Sequence, residues 1–337
     1  MVVVAIAVAM AALPIPAGAV ERLYSTLVYP VIQRTLTPAS NVLPFAIFDV
    51  LCVAALCAFV VMLYRAVRRL GWRRGILQAG GRTIVMASIV YLAFLAAWGL
   101  NYRRVPLVEK VVFDHTRITG EAMRDFGEAN AVALNRLYRK AHESPLSLDA
   151  LEGSFNAALE QMRSPTIVPG RPKQTLLGGY FHEIAVAGMT DPFFLETLVA
   201  PDLLDVERPF VIAHEWAHLA GYADESEANY IAWITCRHGD ALAQYSAALM
   251  MIGYASPERR GALDIGPRID LWAIHYRYSK TNQTLRFAAT RGYDTYLKAN
   301  RVDKGVESYD AVVQLILGTV LDEGGYPRTE WGTRSLR

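Results

Sequence analysis

Three apolar runs in the first hundred residues constrain this chain most, because a stretch inside a bilayer must close its backbone hydrogen bonds within itself and so must be helical. They are Val2 to Val20, uncharged throughout, about Leu43 to Tyr64, and about Thr83 to Leu100. Each is long enough to span. Pro14 and Pro16 then belong near the outer end of the first run. Ala17-Gly18-Ala19 looks like a signal-cleavage site, but no positive region precedes the apolar stretch, so an uncleaved span is expected. Asp49, close to the outer interface, reads as a solvated or hydrogen-bonded helix-end residue rather than a functional intramembrane carboxylate.

Arg65, Arg68, Arg69, Arg73, Arg74 and Arg82 lie between the second and third runs with no acidic residue among them. A short arginine-rich loop belongs on the cytoplasmic side, which puts everything after Tyr102 outside, with Trp98 and Tyr102 as interfacial anchors. Residues Glu21 to Asn41 carry Tyr24, Leu27, Val28, Val31 and Ile32 at helical spacing. That pattern fits a helix lying on the membrane surface or one packed on the outer domain. The chain is 53% hydrophobic, with the excess in this first unit, and its net charge is +2. No basic run with interleaved aromatics is present, so nucleic acid is not an expected partner. Cys52 and Cys57 sit in an apolar run and Cys236 stands alone, so neither a disulfide framework nor a cysteine zinc cluster is available.

Two units follow: a membrane domain, 1–104, with spans at about 2–20, 43–64 and 83–100, and an extracytoplasmic domain, 105–337. In the second unit, helices are predicted from Thr119 to about Lys140 and from Ser147 to Met162. Tyr180 to Gly188 has β-prone residues and predicts a strand or hairpin, of which Ile184 to Gly188 is the candidate edge for an added substrate strand. Helices are again expected at Asp240 to Tyr254, Pro267 to Arg301 and Ala311 to Val320. The expected class is mainly α (α+β): three N-terminal transmembrane helices, then a helical zincin-like domain with a small edge β-sheet.

The chemistry lies in Val211-Ile-Ala-His-Glu-Trp-Ala-His-Leu-Ala-Gly221. On a helix, His214 and His218 fall one turn apart on one face and can hold one metal ion, for which zinc is best suited. Glu215 then stands beside the open position as the catalytic base for an activated water. The flanking Phe210, Val211, Ile212, Trp216 and Leu219 make the helix apolar nearly all round, which argues against a solvated surface pattern. Two residues compete for third ligand. Asp224 has the metzincin spacing, with Gly221 turning the chain. Glu227 stands in a second helix, where Ile231 and Ile234 share its face, but Asp224 and Glu227 also have the spacing of a capping pair.

His-Glu-x-Ala-His-x-x-Gly, followed by Glu-x-Glu-Ala-Asn-Tyr and Cys236, resembles an uncharacterised family of bacterial membrane proteins similar to gluzincin-type zinc metallopeptidases. The resemblance extends to Trp98-Gly-Leu-Asn-Tyr102, Tyr296-Leu-Lys-Ala-Asn300, Gly305 and Ser308-Tyr309. It implies Glu227 as the ligand and Asn229 as its supporting partner. Trp216 departs from the smaller aliphatic expected there, and Asp191-Pro-Phe-Phe-Leu-Glu196 matches only in part, which leaves any role for Glu196 open. Tyr293, Tyr296, Tyr309 and His275 are candidates to stabilise an oxyanion, and His182 and Glu183 to approach the site.

Together these give a membrane-anchored zinc endopeptidase of the bacterial cytoplasmic membrane, acting on extracytoplasmic peptides or proteins. Zinc is held by His214, His218 and Glu227. The rivals are a non-catalytic zinc-containing membrane sensor or envelope assembly factor and, more remotely, an intramembrane protease.

Overall fold

The computed structural model describes residues 1–254, 261–299 and 311–329. Helix α1, Val2–Ala12, stops just before Pro14 and Pro16, and the chain bends by 109° into α2, Ala17–Asn41. Eleven helical residues rise about 16 Å, less than a bilayer core, so the first expected span is not one straight crossing. Between Val20 and Val28 α2 is π-helical. The wider turn brings Tyr24 and Tyr29, five residues apart, to one buried side with ring centroids 5.9 Å apart.

Helix α3, Ile47–Ala97, covers the second and third expected spans and is broken at Gly71, whose φ of +74° a residue with a Cβ rarely adopts. Residues eight apart on an unbroken helix are about 12 Å apart. A Cβ built on Gly75, however, would meet the Val67 Cα at 2.6 Å. The chain therefore doubles back at Gly71, and the two arms of α3 lie side by side. By length and composition α3 can cross a membrane, and α1 with α2 adds a second crossing if that bent pair counts as one. Three separate membrane helices are not defined. Leu56, Phe59, Val60, Ile84 and Met86 on α3 are exposed.

The outer ends of these elements are fastened to the rest of the fold. Ile47 N and Phe48 N, orphan donors at the start of α3, donate to the buried Glu196 carboxylate, which also pairs with Lys173 at 2.7 Å. Glu196 thus caps a helix. Asp49 accepts from Thr175 Oγ1 and Leu176 N, a hydrogen-bonded end residue as expected. Helix α2 packs one face on the outer domain, where Gln33 bonds to Val168, Arg34 to Thr166 and Tyr29 reaches Leu219, and leaves Leu23, Leu27 and Val31 exposed on the other.

Helices α4, Gly120–Glu143, and α5, Leu148–Gln161, form where expected, N-capped by Thr119 and Ser147. A three-stranded sheet of β1 (Pro172–Lys173), β2 (Gly188–Thr190) and β3 (Thr197–Val199) has the order β1-β3-β2, with β1 parallel and β2 antiparallel to β3. The predicted strand at Tyr180 to Gly188 is corrected: Gly178–Ile184 is a helix, α6, ended by Ala185 at φ +61°, and only Gly188 belongs to a strand. Burial of Phe181 and the closed helical turn outweigh the local β preference.

Helix α7, Arg208–Leu219, starts with Pro209 in its first turn and is buried along most of its length. Gly221, at φ +80°, turns the chain back so that α8, Glu225–Arg237, packs on α7. Helix α9, Ala241–Met251, lies against α4, followed by α10, Ile265–Ser279, α11, Gln283–Ala299, and α12, Ala311–Gly318. One core joins Val20, Tyr29, Phe94 and Trp98 to Trp216, Tyr222 and Ile231. The hydrophobic interior therefore runs across residue 104.

Candidate metal centre

The facing imidazoles of His214 and His218 bring their Nε2 atoms to 3.1 Å, as the one-turn spacing requires. The third group is Glu225, whose Oε2 lies 3.2 Å from His214 Nε2 and 3.6 Å from His218 Nε2. The expected ligand Glu227 is elsewhere. Its Oε1 accepts from Leu107 N at 2.5 Å, and burial first, then the Asp224 carboxylate, pushes its pKa up to about 7. The reason is angular. Residues two apart on a helix are about 200° apart around the axis, so when Glu225 faces the histidines Glu227 faces away. Asp224 is the N-cap of α8, accepting from Ser226 N at 2.9 Å and Glu227 N at 3.3 Å. Only its capping reading matches the geometry.

The donor set fits a tetrahedral zinc ion. At metal–ligand distances of about 2.0–2.2 Å, neighbouring ligand atoms stand roughly 3.3 Å apart, close to the three separations here. His218 Nδ1 donates to Tyr222 O at 2.7 Å, which leaves the Nε2 lone pair for a metal. His214 Nδ1 is buried without a hydrogen-bond partner among the described residues, and the buried Glu225 Oε2 faces only the two imidazoles. Orphaned buried polar atoms of this kind are costly unless something binds them.

Electrostatics bind the cluster together without a metal. Burial raises the Glu225 pKa, but His218 and His214 outweigh it and hold the carboxyl well below its ordinary range. Burial lowers the His218 pKa, but the Glu225 carboxylate outweighs it and raises the value to about 9. Glu215 is pushed above the ordinary range by burial, despite the nearby His214 and His218. Its Oε2 accepts from Thr190 Oγ1 at 2.8 Å, and its Oε1 packs against Gly188, where a Cβ would stand 2.6 Å away. Strand β2 is thus pressed onto the candidate base, and a side chain at 188 would displace its carboxylate.

Tyr293, on α11, donates to Glu225 Oε1, which turns Oε2 toward the histidines. Of the other oxyanion candidates, His275 is exposed and touches no residue of the cluster, while the Tyr296 side chain and Tyr309 lie outside the described residues. His182 pairs with Asp202 at 2.7 Å, and the Glu183 carbonyl accepts from Asn282 N. Asn229 is half-buried and makes no hydrogen bond to the cluster. Cys236 is fully buried, with its thiol held protonated by burial.

Sequence reasoning missed the residues behind α7. Trp98 Nε1 donates to His218 O at 2.8 Å and Tyr29 OH to Leu219 O at 2.7 Å. Arg104 Nη1 serves Ala220 O at 3.2 Å and Gly221 O at 2.9 Å. Its other nitrogens form a bidentate pair with buried Glu21, which also holds Lys110 at 2.7 Å. No motif marks these contacts, since the partners are some 80 to 190 positions apart in sequence.

The fold and site define a mainly helical protein with a long apolar helix and a buried His-His-Glu cluster of the kind that can hold a metal ion. The chain belongs to the DUF3810 family, described as a protein of unknown function, which matches residues 24–317. No curated protein and no solved structure matches it.

Proposed function

We propose that this protein is a membrane-anchored zinc endopeptidase. The observation that carries it is the spacing of His214 Nε2, His218 Nε2 and Glu225 Oε2, with Glu215 on the same helix as the two histidines. Zinc held there would polarise the scissile carbonyl and acidify a water. Glu215 takes the proton at Oε1, the oxygen not engaged by Thr190, and delivers it to the leaving amine. Strand β2 has β3 on one side only, so its outer edge is the place for an extended peptide to add main chain to main chain. A glutamate third ligand on the helix after His-Glu-x-x-His supports the gluzincin-like reading, with Glu225 in the place expected of Glu227.

In this reading α1 and the two arms of α3 are the membrane anchors, and the six arginines around the Gly71 turn set that tip in the cytoplasm. The cluster then faces the periplasm or cell exterior. An alkaline phosphatase fusion after Lys110 should be active, and an inactive one overturns the topology. For the chemistry, full-length protein should cleave unfolded casein, and both chelation and Glu215→Gln should abolish cleavage. Activity indifferent to both refutes the mechanism.

The burial of the cluster also supports a non-catalytic zinc-bearing sensor, since the side chains of His214 and His218 are only 15% and 10% exposed. Glu215→Gln would then leave the cellular role intact.

A further inference from the structure

The candidate site is attached to the ends of the membrane hairpin. The second arm of α3, from Gly71 to Ala97, rises about 39 Å, enough to cross a hydrocarbon core of about 30 Å and finish among the headgroups. Trp98 follows immediately, with Tyr102 edge-on against it at 5.2 Å. Trp98 is not the lipid-facing anchor its position suggests: it is buried in the protein core, with Tyr102 half-buried beside it. The Trp98 indole bonds to His218 O, and its ring lies 6.2 Å from the His218 imidazole, so the cluster stands within about one helix diameter, roughly 10 Å, of the arm's end. The first arm ends close by as well. Asp49, in its first turn, holds Leu176 N, and Leu176 is 81% and Tyr180 49% exposed. Two exposed apolar side chains, four positions apart, thus stand beside the start of the first arm.

From this placement we infer that the substrate is the juxtamembrane segment of a membrane-anchored polypeptide, taken as an extended strand within the outer headgroup layer. The inference rests on the peptidase reading above. A tethered segment reaches the β2 edge by lateral diffusion at millimolar effective concentration, whereas a soluble chain must be brought to within a helix diameter of the lipid. Leu176 and Tyr180 seat this end of the first arm in the interface, which keeps the β2 edge at the height where such segments emerge.

Two measurements on the full chain in nanodiscs test this. Spin labels are placed by Leu176→Cys, Tyr180→Cys and, on the exposed face of α4, Val132→Cys, with Cys52 and Cys57 replaced by alanine. Accessibility to oxygen against a water-soluble nickel chelate should report headgroup depth at 176 and 180 and water at 132. Separately, one unstructured cleavable sequence is supplied free, or tethered to a single-span peptide about 5 or about 40 residues from the hydrocarbon edge. The near-tethered form should be cut at least tenfold faster than the other two. Labels at 176 and 180 in bulk water overturn the proposal, as do equal rates on all three substrates while Glu215→Gln is inactive. No cleavage in any arm, with the labels at headgroup depth, overturns the peptidase reading and this substrate class with it.

Discussion

Trp98 Nε1 lies 2.8 Å from the main-chain oxygen of His218, so the residue that ends the long apolar helix holds the helix that carries both histidines. Tyr29 and Arg104 satisfy the next three carbonyls, Leu219, Ala220 and Gly221. A helix C-terminus leaves its last four carbonyls without intrahelical partners. Of these, Trp216 O and Ala217 O are taken by Ala220 N and Tyr222 N of the following turn, while the segment before residue 105 serves His218 O, Leu219 O and the two carbonyls just beyond the helix. A fragment of residues 105–337 lacks these caps and should fail to fold or to retain zinc, checked by circular dichroism and metal analysis beside the full chain.

Single substitutions grade this effect. Trp98→Phe removes one buried hydrogen bond and should cost about 1–2 kcal/mol. Arg104→Met strips two carbonyls and the bidentate partner of Glu21, and about 3–5 kcal/mol is expected. Thermal midpoints of detergent-solubilised protein should fall in that order.

Metal content separates the glutamates. Glu225→Ala, His214→Ala and His218→Ala should lose stoichiometric zinc by mass spectrometry of the purified protein. Glu227→Ala should keep it, because Glu227 bonds to Leu107 N instead. Zinc lost from Glu227→Ala and kept by Glu225→Ala would reverse the assignment.

Gly188→Ala places a methyl group 2.6 Å from Glu215 Oε1. The carboxylate must move off its Thr190 contact, so hydrolysis should fall at least tenfold with zinc content unchanged. Thr190→Val should act in the same direction, and Thr190→Ser should restore the rate.

Asp191 supplies a pH dependence away from the cluster. Burial, opposed by hydrogen bonds from Phe193 N and Phe194 N, raises its pKa to about 7. An unfolded aspartate titrates near pH 3.9, so between about 4 and 7 the native state binds the extra proton. This group's contribution is therefore present below about pH 4, is lost as pH rises toward 7, and changes no further above that. Thermal midpoints measured across this range should decline less for Asp191→Asn than for the parent chain.

The local grammar of the chain was legible from residues alone. Thr119, Ser147 and Asp224 announce helix starts, and each caps as its spacing implies. The His214–His218 spacing guarantees a shared face. Glycine at 221 marks the turn that folds α8 back on α7. Pro14 and Pro16 mark a break in the first apolar run, and in the fold they give a short helix and a sharp bend.

Periodicity could place Glu225 and Glu227 on opposite faces of one helix but could not say which face meets the histidines. That depended on how α8 rotates as it packs, with Leu107 N waiting on the other side. Nor could a one-dimensional pattern show that Trp98, Tyr29 and Arg104 close the end of α7, because such contacts exist only after distant segments pack. The sequence by itself determined the helices, the apolar segments and the metal-competent histidine pair. Tertiary packing alone decided the third side chain at that pair and bound the cluster to the end of the apolar hairpin, since side-chain direction and long-range capping follow from how helices pack, not from their order.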